Sequence, residues 1–181
     1  MKKKQIKTLE KVIDNSYACC IKREKIDDKN LYGFPIKYND KFILIENEYD
    51  FQIDGYKIIR TKDITEIRYK RVDKHSNYIL EKEGLRSNSI PSIVSDIKNF
   101  KKIFSQIKKS NKNIIIEGES LKEKSFFIGK VIDPKENYVD FLYFSAIGEW
   151  DESPTKIKYK NITCITYNDR YTEITSKYLK E

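Results

Sequence analysis

The sequence predicts a mainly β protein with flanking helices, organised as two tandem units. Three observations carry this. Short alternating apolar and polar runs recur along the chain, each bounded by turn residues. The phrase Lys62-Asp63-Ile64-Thr65-Glu66-Ile67 returns as Lys160-Asn161-Ile162-Thr163-Cys164-Ile165, so the chain is duplicated internally. Finally, 181 residues suit two small units better than one repeat-free domain, and the division falls at residues 1–84 and 85–181.

The first unit opens with Ile6, Leu9, Val12 and Ile13 at helical spacing, with Lys3, Lys4, Lys7, Glu10 and Lys11 left for the other face. Strand patterns follow over residues 17–23, 31–38 and 41–46, with Asn39-Asp40 as a hairpin turn. Asp54-Gly55 marks a second turn, before strands over 56–60 and 65–71. His75, the only histidine, falls with Lys74, Ser76 and Asn77 in a stretch that reads as a loop.

The second unit begins after the breaker-rich residues 84–89. Pro91 is placed to open an amphipathic helix whose stripe runs Ile90, Ile93, Val94, Ile97, Phe100, Ile103, Phe104 and Ile107, packed at the junction of the two units. Strand patterns then cover residues 114–117, 126–132, 138–144, 155–159 and 163–167. Tyr171, Ile174 and Tyr178 or Leu179 are spaced for a final helix, with Asp169 as its N-cap.

A helix followed by five short strands, with a glycine in the second strand (Gly33, Gly129) and a tight turn before the fifth (Lys62-Asp63-Ile64, Lys160-Asn161-Ile162), resembles the Sm-like family of small SH3-type β-barrels, and bacterial proteins of unassigned function that carry two such barrels. The resemblance spans nearly the whole chain. It implies a fold, two tandem five-stranded Sm-like barrels each preceded by an amphipathic helix, and assigns no activity. RNA-binding members place an Arg-Gly or similar pair in the last loop. This chain has Asn161 at that place in one unit, Asp63 in the other and Arg-Gly in neither.

Composition narrows the function. The chain is 39% hydrophobic and 35% charged, with a mean hydropathy of -0.69, and it has no apolar run long enough to cross a bilayer, so the expected location is the cytoplasm, without membrane contact. Cys19, Cys20 and Cys164 give neither a disulfide framework nor zinc spacing. No Walker loop, GxGxxG, GxSxG or HExxH occurs, and SxxK at 95–98 and 105–108 is ordinary for a lysine-rich helix. The chain therefore reads as non-enzymatic, with no cofactor and no metal.

Two binding readings remain, and a third stays open beside them. One is an adaptor for a protein partner through the loops at 50–56 and 148–151. There Trp150, the single tryptophan, lies between Glu149 and Asp151, and Tyr56 follows the Asp54-Gly55 turn. The other is a nucleic-acid surface. The net charge is +8 and the pI near 9.1, and Arg60, Lys62, Arg68, Lys70 and Arg71 cluster in sequence, with Lys98, Lys101 and Lys102 on the polar face of the second helix. The third is a small ligand, such as a nucleotide, at the junction of the barrels.

Overall fold

The computed structural model describes residues 1–85 and 93–180. The elements run α1 (Lys3–Asp14), β1 (Cys19–Lys22), β2 (Leu31–Tyr38), β3 (Phe42–Tyr49), β4 (Gln52–Arg60), β5 (Glu66–Arg68), α2 (Arg71–Lys82), α3 (Phe100–Ser110), β6 (Ile114–Gly118), β7 (Ser125–Pro134), β8 (Tyr138–Tyr143), β9 (Thr155–Lys158), β10 (Cys164–Tyr167) and α4 (Arg170–Thr175). The protein is mainly β. All ten strands join one open antiparallel sheet in the order β5-β1-β2-β3-β4-β10-β6-β7-β8-β9.

That order contains the same five-strand pattern twice, and the register repeats with it. Cys19 faces Gly33 as Ile114 faces Gly129, and Gly33 faces Asn47 as Gly129 faces Tyr143. Even the bulge recurs, between Pro35 and Lys37 in one half and between Val131 and Asp133 in the other. A side chain at Gly33 or Gly129 would overlap the carbonyl oxygen of Glu46 or Leu142 on the adjoining strand. The glycines thus allow the close approach that the bend requires.

The halves are joined through β4 and β10, with Ile59 opposite Cys164 and Ile58 opposite Ile165. Their core is shared. Phe42, Leu44 and Ile58 pack with Ile103, Phe104, Ile107, Val139, Phe141 and Ile165, while Ile43, Ile45 and Ile59 turn to a second cluster with Leu9, Val12, Ile21 and Ile67. Strand β3 is therefore buried on both faces, which explains its unbroken Phe-Ile-Leu-Ile run. Arg23, at the end of β1, is 1% exposed and reaches across to Glu119 just beyond β6 through two hydrogen bonds.

Four sequence expectations are corrected. The helix expected from Pro91 begins only at Phe100, where the Asn99 side chain accepts from the Lys102 N–H at 2.9 Å; Ile90 and Pro91 lie outside the described residues. Residues 94–97 are non-helical, yet Val94 and Ile97 are buried in the same core, so their spacing imitates a helix. The hairpin turn lies at Asp50-Phe51, both with φ near +50 to +58°, and Gly55 sits inside β4. Gly55 has φ +66° and packs against the Tyr167 to Asp169 backbone, which leaves no room for a Cβ.

Lastly, Arg71 and His75 belong to a helix, α2, instead of a strand end and a loop. Its buried face includes Asp73 and Asn77. Asp73 accepts from the Lys70 N–H and from Arg68, and Asn77 exchanges both hydrogen bonds with the Ala18 backbone.

Candidate functional site

The repeated phrase lines a cleft between the two halves. In each half a single 3-10 turn, at Thr61–Asp63 and at Tyr159–Asn161, links the fourth strand to the fifth. Ile64 and Ile162 plug into the core behind the turns, and the Thr65 and Thr163 N–H groups donate to the equivalent carbonyls of Lys22 and Glu117. Arg60 ties the two turns together. It pairs with Asp63 in its own turn, and its Nη1 donates to the Lys160 carbonyl at 2.9 Å in the other.

Between these turns, the 40–42 hairpin and the start of α3 lies a cleft of about 480 Å³. Its apolar floor is aromatic. Phe100 meets Phe42 edge-on at 4.7 Å between ring centroids and stacks on Tyr159 at 5.0 Å. The Tyr159 hydroxyl donates to the Lys135 carbonyl at 2.8 Å, and burial raises its pKa. Around the floor stand Lys41, Arg60, Lys62, Lys101 and Lys160, against the carboxylates of Asp40 and Glu136. Lys101 is answered by Glu136 at 2.8 Å and Arg60 by Asp63. Lys41, Lys62 and Lys160 form no ion pair among the described residues. The site thus joins a largely buried aromatic floor, with Phe42 4% and Tyr159 9% exposed, to a rim of five cations of which Arg60 and Lys101 are paired.

The basic residues singled out in the sequence divide into separate groups. Arg60, Lys62 and Lys101 line the cleft, while Lys98 borders a separate groove beside the 37–41 hairpin. Lys102 is exposed on α3. Arg68 ends β5, where it is held by the buried Asp73 at 2.9 Å, Lys70 precedes α2 as its N-cap residue, and Arg71 begins that helix. Sequence reasoning missed Lys41 and Lys160. The signal for Lys160 was present, because it is the repeat counterpart of Lys62.

The residues expected to meet a protein partner are placed elsewhere. Tyr56 stacks on Tyr167 at 5.3 Å and its hydroxyl bonds to Glu46 at 3.1 Å. Trp150 is half-buried. It meets Phe144 edge-on at 5.3 Å beside Ile115 and Ile128, and the Lys130 ammonium sits 4.6 Å from the centre of its ring. Glu149 pairs with Lys180 at 2.7 Å, and the carboxylate of Asp151 raises the pKa of the neighbouring Tyr143 phenol. The exposed apolar groups of the corresponding loop in the first half are Tyr49, Phe51 and Ile53, at the β3–β4 hairpin tip.

Among the described residues, no group of three or more His, Cys, Asp or Glu side chains is placed to hold a metal ion, and no helix is long and apolar enough to cross a membrane. No protein-family model matches the chain, and no curated protein or solved structure gives a significant match.

Proposed function

We propose that the chain is a non-enzymatic binding protein built from two fused Sm-like units, and that it binds single-stranded nucleic acid in the cleft between the two repeated turns. The observation that carries this reading is the convergence of Lys62 and Lys160, the same residue of each repeat, on one cavity floored by Phe42, Phe100 and Tyr159. Base stacking on an aromatic surface with lysines along the backbone is the usual chemistry of sequence-tolerant single-strand binding. The charge of Asp63, which would otherwise repel phosphate, is taken up by Arg60.

The test is a mobility titration with single-stranded RNA, single-stranded DNA and duplex DNA at low and physiological salt. A single-strand shift that persists at physiological salt, and is lost in Lys62→Ala/Lys160→Ala, supports the reading. A shift unchanged in that variant, or no shift, refutes it. A cleft of this volume also accommodates a mononucleotide, and a thermal-shift panel of free nucleotides separates that occupant from a strand.

A second reading, a cytoplasmic adaptor for a protein partner, draws on the hairpin tip. There Tyr49 is 75% exposed, with Phe51 and Ile53 beside it. Loss of a captured partner on Phe51→Asp, with melting unchanged, would favour it over the nucleic-acid reading.

A further inference from the structure

Strand β5 ends the sheet, although its counterpart β10 does not. In the second half every residue of β10 has a partner on both sides: Cys164 lies between Glu117 and Ile59, and Ile165 between Ile116 and Ile58. The matching residues of β5, Glu66 and Ile67, pair with Lys22 and Ile21 on one side only among the described residues. An unpaired edge of this kind offers a row of backbone donors and acceptors to an incoming strand.

The space beside that edge is a groove of about 390 Å³, walled on one side by residues 65–70 and on the other by the first turn of α1. The Gln5 amide donates to the Thr65 carbonyl at 2.8 Å and fixes the helix start beside the strand. The charge of the groove is uneven. Glu66 is answered from within the protein by Lys22 at 3.0 Å, and Arg68 is consumed by Asp73. Lys70 has a 72% exposed side chain and only a 3.9 Å contact to Glu66, and Lys2 and Lys4 meet no carboxylate among the described residues.

We infer that β5 accepts an extended acidic peptide segment as an added antiparallel strand, with an apolar residue opposite Ile67, as Ile58 stands opposite Ile165, and carboxylates reaching Lys2, Lys4 and Lys70. This is strand addition at an open sheet edge, in which main-chain hydrogen bonds supply affinity and flanking charge supplies selectivity. A second copy of this chain is the poorer fit. Its β9, the strand at the other end of the sheet, would in the register of β4 and β10 bring Lys156 opposite Ile67, and its own β5 would set a second Lys2, Lys4 and Lys70 against an already basic groove. The inference is independent of the cleft described above, since no residue is shared between the two sites.

The experiment uses a fluorescein-labelled peptide of alternating Glu and Val, a Lys and Val peptide, and a Glu and Val peptide with proline at two alternate positions. The Glu and Val peptide should bind and shift the amide resonances of Glu66, Ile67 and Arg68. The lysine and proline versions should fail. In Lys2→Glu/Lys4→Glu, both residues being exposed, affinity should fall about tenfold with melting unchanged. Absence of binding up to about 1 mM, equal binding of the proline peptide, or amide shifts located away from β5 would overturn the inference. So would sedimentation showing that the free chain already self-associates through this edge, or a nucleic-acid probe shifting the same amides more strongly.

Discussion

Replacing Arg23 with methionine removes the most deeply buried charged link between the two halves among the described residues. The guanidinium is 1% exposed, forms two hydrogen bonds with Glu119, one of them at 2.6 Å, and lies 3.5 Å from Asp27. Without it, the Glu119 carboxylate, whose side chain is 11% exposed, keeps only the Thr163 hydroxyl at 2.8 Å among the described residues, whereas Asp27 retains Lys124 at 3.6 Å. An uncompensated buried carboxylate costs about 3–5 kcal/mol. For a chain of this length that lowers Tm by about 6–20 °C. Urea unfolding followed in parallel by Trp150 fluorescence, which reports the second half, and by far-ultraviolet circular dichroism gives the value. The two probes should move together, because the halves share one core and one sheet. Arg23→Met/Glu119→Leu should recover most of the loss, since the buried charge is gone and apolar groups replace the pair. A loss under about 1 kcal/mol, the worth of a surface pair, or a double variant no better than the single one, would refute the reasoning.

Two further outcomes follow from backbone and thiol chemistry. Gly55→Ala should lower stability by about 1–3 kcal/mol, because φ is +66° and the new Cβ meets the Tyr167 to Asp169 backbone; Gly84→Ala, at φ +71° with open space around it, should cost less in the same denaturation assay. Burial pushes the Cys164 thiol from 9.0 up to about 12, and Cys19 rises for the same cause. The thiol is the form the fold favours, so the stability tied to Cys164 is intact below pH 9 and is lost as pH rises from about 9 to 12. Native protein should accordingly leave Cys19 and Cys164 unreacted with a thiol reagent at pH 8, and modification before unfolding would contradict this.

The strands were legible because most of them alternate against a core on one face, and the duplication was legible because Lys62-Asp63-Ile64-Thr65 recurs almost unchanged. Helix α2 was hidden for a physical reason. Two of its three buried residues are Asp73 and Asn77, which satisfy Arg68, Lys70 and Ala18, so no apolar stripe marks it. The opposite error occurred at residues 93–97, where Val94 and Ile97 reach the core from non-helical chain and the Gln106 amide binds the Ser95 and Asp96 backbone in place of a helical ladder. Gly55 read as a turn because glycine marks positive φ, yet here it serves a bulge pressed against β10. At the cleft, Arg60 and Lys62 were identifiable from charge alone. Their meeting with Lys160 was not, since it depends on β4 pairing with β10 across 100 residues of chain.

The most direct test of the cleft is the salt dependence of single-strand binding, measured by fluorescence anisotropy of a labelled oligonucleotide. Three unpaired lysines at the cleft, Lys41, Lys62 and Lys160, give a slope of log affinity against log salt of about -2 for a single strand, so affinity should fall about 20-fold between 50 and 200 mM. In Lys62→Ala/Lys160→Ala the slope should flatten to about -0.7 and the fall shrink to about threefold. The same slope in both proteins would place the phosphates elsewhere on the surface and contradict the account.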